Sequence, residues 1–260
     1  MHAFYFGKSE QPLYGVSHSP SGSNYHDKAI LICNSVGHEY IRSHRALQQL
    51  AEKLSSLGYY VLRFDYRGVG DSSGQFNEVS VTEWLANIKL AAEELKAISG
   101  QQRINVIGLR LGATLALMSS EQCNFNQVIM WDPVVFGQQY LENLQRLHKE
   151  FLTDRMWFFS DRSENDTLEN EFLCYQYAQA VVNELKDINL LETNVADYQL
   201  LNSINTEQGN SIELDEVLKN KLNDYDTKYI NEACNWNQLE YIDKALTAIK
   251  VIDDICGLVK

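Results

Sequence analysis

The sequence predicts an α/β fold, a mostly parallel central sheet of about eight strands flanked by helices, and three observations carry that expectation. From residue 28 onward, short apolar runs alternate with stretches of helical periodicity, the pattern left by repeated strand–helix–strand units. Residues 104–112, Ile-Asn-Val-Ile-Gly-Leu-Arg-Leu-Gly, drive a buried strand into a tight turn flanked by Gly108 and Gly112. Residues 137–191 lose the strand signal and gain aromatics, as a helical cap inserted over the sheet edge would. The chain of 260 residues therefore divides into a core of residues 1–136 and 192–260 and a cap insertion of residues 137–191.

Each element follows from local chemistry. Residues 3–6 and 13–17 are short β-like pieces suited to an antiparallel hairpin at one edge. Residues 29–33, Ala-Ile-Leu-Ile-Cys, form a buried-type strand running into a loop at residues 34–39. Leu47, Leu50, Ala51 and Leu54 then recur at helical spacing before Gly58, which terminates a helix in the left-handed conformation. A strand at residues 59–64 leads into a glycine-rich turn at residues 65–74. Ser80 and Glu83 have capping-box spacing, and the helix they open buries Trp84, Ile88, Ala91 or Ala92, and Leu95 before Gly100. A strand at residues 128–131 ends at Asp132-Pro133. Beyond the cap come apolar residues 198–204, a helix near residues 213–222, a strand at residues 227–230 and a last amphipathic helix carrying Leu239, Ile242, Leu246 and Ile249.

Composition removes several function classes. Twenty-two Lys and Arg against thirty-five Asp and Glu give a net charge of −13, which repels nucleic acid and anionic lipid, so no nucleic-acid partner is expected. No basic segment followed by an apolar stretch opens the chain, and no long apolar run follows, so neither export nor membrane insertion is expected. Five scattered cysteines without a Cys-x-x-Cys pair suggest neither a disulfide framework nor a zinc knuckle and fit a cytoplasmic protein. His38-Glu39 opens like a zinc-protease motif, but the second histidine would have to be residue 42, which is Arg42. No metal and no cofactor are expected. Residues 68–74 space their glycines wrongly for a dinucleotide loop and read as a structural turn capped by Asp71 and Ser72.

The turn at residues 108–112 has the build of a nucleophile elbow, which normally lifts the serine of Gly-x-Ser-x-Gly above a sheet beside oxyanion-binding N–H groups. Here the raised position is Arg110. A guanidinium has no lone pair for attack and stays protonated, so acyl-enzyme chemistry at this position is excluded. Residues 64–74, Phe-Asp-Tyr-Arg-Gly-Val-Gly-Asp-Ser-Ser-Gly, resemble the turn after the fourth strand of the α/β-hydrolase superfamily, and residues 108–112 sit where its elbow follows. The order of parts is similar, over essentially the full length, to the serine aminopeptidase-like, lid-bearing branch of that superfamily. More narrowly, residues 108–114, residues 131–137 and the segment around Trp236 resemble hydrolase-like proteins that accompany exosortase A and exopolysaccharide systems. The resemblance implies an α/β-hydrolase fold with a helical cap, a serine on the elbow and a base histidine after the last strand. This chain departs from it twice, because its histidines are at positions 2, 18, 26, 38, 44 and 148 and none follows. The acid position after the penultimate strand falls at Glu207.

A cation at a helix N-terminus calls for an adjacent anion. Asp132, Glu39 and Glu207 are the internal suppliers; a ligand carboxylate, phosphate or carbonyl oxygen is the external one. The sequence therefore suggests a pseudo-hydrolase that binds an anionic or acyl ligand through Arg110, Leu111, Ser35, Val36, Trp131, Trp157 and Trp236, as an accessory of a polysaccharide, lipid or natural-product pathway. Two readings compete with it. One is an enzyme of altered chemistry with Arg110 as electrophile and His38, Asp132 or Glu39 moving a proton. The other is a protein that docks a partner through its cap, an acyl carrier or a pathway enzyme being the candidates. A homodimer is left open. Cys33 and Cys234 lie near predicted strand ends, where burial suits them better than nucleophilic work.

Overall fold

The computed structural model describes residues 1–21, 25–155, 169–193, 200–206, 212–222 and 225–259. The chain opens with an antiparallel hairpin, β1 (His2–Lys8) and β2 (Gln11–His18), followed by β3 (Lys28–Cys33), helix α1 (Gly37–Ser56) and β4 (Tyr60–Phe64). Next come α2 (Val81–Ser99), β5 (Arg103–Leu109), α3 (Leu111–Met118), the short α4 (Ser120–Cys123) and β6 (Gln127–Trp131). Among the described residues, the sheet runs β1-β2-β4-β3-β5-β6 and is completed by two later strands, β9 and β10.

Between β6 and those strands lie α5 (Gly137–Arg155), a two-residue-per-strand hairpin of β7 (Glu171–Phe172) and β8 (Tyr175–Gln176), and α6 (Gln179–Lys186). The sequence predicts no strand in this stretch, and the small hairpin corrects that. Leu173 and Cys174 take positive φ at its tip, and Leu173 N–H donates to His148 Nδ1, a tertiary contact that no local pattern announces. Trp157, Phe158 and Phe159, expected in the cap, lie outside the described residues. The chain returns through β9 (Leu200–Asn205), α7 (Ile212–Lys221), β10 (Tyr225–Tyr229) and α8 (Ile249–Leu258).

From β4 across to β10 all neighbours pair in parallel, while β2 joins β4 antiparallel. The alternation of strand side chains splits the core in two. Leu31, Leu62, Val106 and Val128 face α2 and α3, whereas Ile30, Val61, Ile107 and Ile129 face α1 and α8. Helix α2 starts as its sequence demands: Glu83 N–H donates to Ser80 Oγ, Ser80 N–H donates back to the Glu83 carboxylate, and Gly100 ends the helix at φ 71°.

Two boundaries differ from the sequence reading. The expected loop at residues 34–39 is cut short because α1 begins at Gly37, which puts His38 and Glu39 on its first turn. The last helix begins only at Ile249; Leu239 lies in a single 3₁₀ turn, Leu239–Tyr241. Leu246 N–H donates to Arg42 O at 2.8 Å, which draws the intervening backbone across α1 in place of a helical path.

Candidate functional site

The β5–α3 junction is an elbow in geometry as well as in sequence. Arg110 takes φ 53° and ψ −124°, a strained conformation for a residue with a Cβ, and its N–H donates to Trp131 O. Both flanking glycines are required. A Cβ on Gly108 would come within 2.4 Å of Ala113 Cα, and one on Gly112 within 2.2 Å of Asn34 O, so neither neighbour admits a side chain. The fold thus pays for a perch that lifts one side chain over the carboxyl edge of the sheet.

The side chain on that perch is buried, with only 6% of Arg110 exposed. Its Nε donates to Glu39 Oε1 at 2.9 Å, and its Nη1 donates to Asp132 O at 3.2 Å. Glu39 is itself held on the other oxygen, which accepts from Ser35 Oγ at 2.6 Å and from the Tyr140 hydroxyl at 3.4 Å. Of the two anion sources that the sequence leaves open, the internal one is present: Glu39 supplies the charge. Burial pushes the Glu39 carboxyl upward, but the Arg110 charge, His38 and the hydrogen bonds from Ser35 and Arg110 outweigh it and hold the carboxyl below its ordinary range. Burial works against the Arg110 charge too, and Glu39, Tyr140 and Asp132 overcome it, so the guanidinium stays charged.

Asp132 gives Arg110 only its carbonyl. Its carboxylate accepts from Thr206 N–H and Thr206 Oγ1, both at 2.6 Å, and from Trp236 Nε1 at 2.8 Å. Burial raises the Asp132 carboxyl above the usual aspartate value, with those hydrogen bonds and Arg110 opposing. Trp236 lies in the stretch where a base histidine would be expected, after the last strand. Its indole donates to a buried carboxylate as a base imidazole would, and its ring lies 5.3 Å from the Arg110 guanidinium carbon. Arg42 also lies against the indole, 5.1 Å from the ring, and donates to Cys234 O, Asn235 O and Lys244 O. Arg110, Trp236 and Asp132 therefore form a contiguous set without an imidazole, and its one carboxylate already accepts from Thr206 and Trp236.

The remaining expected site residues separate. Ser35 supports Glu39, and Val36 is the buried residue that precedes α1. Leu111 and Trp131 are packed in the two halves of the core, away from any opening at Arg110. Trp157 and Glu207 lie outside the described residues. His38 is buried, its Nε2 has no hydrogen-bond partner, and burial lowers its pKa to about 4 against the pull of Glu39, so it is neutral at pH 7 and not bonded to the elbow. Cys33 and Cys234 are buried free thiols, pushed upward by desolvation, Cys234 to about 12, which leaves neither a thiolate at neutral pH. Among the described residues no group of three or more His, Cys, Asp or Glu side chains is placed to hold a metal ion. No helix is long and apolar enough to cross a membrane, again among the described residues.

Among the described residues, Arg110 lines a cleft of about 50 Å³ together with Val134, Phe136, Gln139, Tyr140 and Asn143 among others. That is room for a water molecule or one small polar group, far below the roughly 300 Å³ at which drug-sized ligand sites begin. The cap reaches down on a second side, where a Cβ on Gly37 would meet the Tyr177 hydroxyl at 2.5 Å. Tyr140, Thr206 and Arg42 are the contributors that sequence reasoning missed, and no local pattern marks them. Tyr177 falls among the aromatics expected between residues 137 and 191.

Comparison with known proteins agrees with this fold. A segment of 68 residues is 40% identical to lysophosphatidylserine lipase ABHD12 of Xenopus tropicalis, spanning 26% of this chain and only 17% of that protein. A putative hydrolase from Agrobacterium vitis superposes with a TM-score of 0.63 at 15% identity, covering 100% of this chain and 98% of its own. An esterase from Pyrococcus furiosus gives a TM-score of 0.66 at 16% identity, covering 98% and 88% respectively. At such identities the superpositions speak for the α/β-hydrolase fold alone. Residues 26–194 match the family described as serine aminopeptidase, S33, a stretch that includes the elbow, Glu39 and Asp132, and on that match the chain belongs to the serine aminopeptidase S33 family of α/β hydrolases.

Proposed function

We propose that this chain is a pseudo-hydrolase, a family member that keeps the hydrolase scaffold and no longer runs serine-hydrolase chemistry. The observation that carries the reading is the side chain on the elbow: Arg110, ion-paired to Glu39 at 2.9 Å, beside an indole where the base would stand. Hydrolysis by the family's route needs a nucleophile, a proton acceptor and space for an acyl group next to them. Arg110 removes the first, Trp236 the second, and the small cleft the third. A chemistry with Arg110 as electrophile is less well supported, because Glu39 already neutralises the guanidinium and Asp132 is committed to Thr206 and Trp236.

The same neutralisation argues against an anionic ligand at Arg110. The pair carries no net charge, so the guanidinium does not stand there as an uncompensated cation. The cleft suits a water or a carbonyl oxygen. We therefore assign the chain a non-catalytic role, and on the resemblance given above we set it as an accessory of a polysaccharide, lipid or natural-product pathway, working by association. Hydrolysis of p-nitrophenyl acetate and butyrate tests the reading: turnover should equal that of an Arg110→Gln variant and of the buffer. Saturable turnover lost in that variant would contradict it.

A further inference from the structure

On the α1 side of the sheet, away from the elbow, the surface opens into a pocket of about 240 Å³ whose walls come from α1, from β2 and β4, and from the turn after β4. Arg63 on β4 reaches into it from the floor. Its Nε is buried without a hydrogen-bond partner, and the guanidinium makes neither a hydrogen bond nor an ion pair. A half-buried guanidinium with nothing to hold is costly, because desolvation penalises the charge and no partner repays it. Burial indeed lowers the Arg63 pKa, with the charges of Asp65, Tyr40 and Glu52 opposing but not outweighing it.

Across the pocket stands a second unpaired charge of opposite sign. Asp65 is already occupied, since one oxygen accepts from the Tyr40 hydroxyl at 2.9 Å and the other from Asp71 N–H at 3.0 Å. The Asp71 carboxylate, by contrast, has no hydrogen bond or ion pair, although it lines the same pocket as Arg63. The pocket is therefore lined by the Arg63 guanidinium and the Asp71 carboxylate, neither with a hydrogen bond or ion pair, together with His44 and the already occupied Asp65. Their complement is a molecule with the reverse pattern. Met1, Ala3 and Val16 add an apolar wall, and the volume lies below that of drug-sized sites.

We infer that this pocket binds a small zwitterion of the α-amino-acid type, its carboxylate on the Arg63 fork, its ammonium on Asp71 and its side chain against Val16. A guanidinium grips a carboxylate through two parallel N–H donors, which a single charge elsewhere would not reproduce. Titration calorimetry on the full chain with L-leucine, leucinamide and N-acetyl-leucine tests it. L-leucine should bind saturably and each single-charge analogue about tenfold or more weakly, the equivalent of roughly 1.4 kcal/mol. Arg63→Gln should erase the preference of L-leucine over leucinamide, and Asp71→Asn its preference over N-acetyl-leucine. Asp71 is exposed, so its variant reports even where Arg63→Gln disturbs folding. Absence of saturable binding by L-leucine, equal binding by either analogue or by methyl glucoside, or indifference to Asp71→Asn would overturn the inference.

Discussion

Arg110 and Glu39 are the pair on which the interior of the site depends, and their burial sets what substitution should do. Removing one partner of a buried ion pair strands the other charge, at a cost of about 3–5 kcal/mol, whereas replacing both by apolar groups is far milder. Urea unfolding of Glu39→Gln and Arg110→Met should show losses of that order, and the double variant should lose much less than their sum. Acid tests Glu39 again, together with its neighbour His38. Glu39 has a depressed carboxyl pKa in the fold, so its contribution is present above the ordinary glutamate range and is lost as pH falls through the folded value. His38 has a folded pKa of about 4 against 6.5 when free, so the unfolded chain binds the extra proton between those values. Stability therefore declines as pH drops from 6.5 towards 4, and His38→Asn should flatten the decline in urea midpoints. Asp132 works with the opposite sign, its raised carboxyl pKa making the ionised form the costly one. The sequence makes Arg110 legible because glycines on both sides mark the elbow. It leaves Thr206 and Tyr140 unreadable, since each is chosen by a hydrogen bond made across the fold to Asp132 or Glu39.

At the scale of elements, the elbow keeps its geometry with Arg110 on it, because close packing demands the turn. Gly112→Ala would press a methyl group against Asn34 O and Cys33 O, both backbone atoms that cannot step aside. That variant should lose about 3 kcal/mol or more in urea unfolding, at the upper end of overpacking costs. Thr114 ties α3 to the strand end opposite, donating to Val134 O at 2.8 Å and accepting from Val134 N–H at 3.0 Å. Thr114→Val leaves both backbone groups unpaired in the interior and should cost about 2–4 kcal/mol, read in the same assay. Elements whose pattern is local were legible in advance: α2 shows its capping box, its apolar stripe and its terminal glycine within residues 80–100. The late start of α8 was not, because the segment before it is held by a backbone bond from Leu246 to Arg42, two hundred residues away in sequence. The β7–β8 hairpin is equally hidden, two residues per strand being too short for any alternation.

For the molecule as a whole, the parallel sheet and its two-sided core were written in apolar runs, while closure of the site was not. A reading of the sequence alone leaves the space over Arg110 to either an internal carboxylate or a ligand. Folding fills it with Glu39, Tyr140 and Trp236, and the cause is economy of charge: a buried guanidinium takes the nearest carboxylate, which α1 presents on its first turn. Restoring a serine should therefore not restore activity. Arg110→Ser would leave a hydroxyl beside Glu39 and an indole, with no imidazole to accept its proton, and ester hydrolysis should stay at background. The most direct measurement is intact-mass analysis after exposure to an alkyl fluorophosphonate, which marks any activated serine irrespective of the natural substrate. The unmodified mass should persist at every exposure time. A stoichiometric single adduct on the native chain, abolished by prior denaturation, would contradict the account at its root.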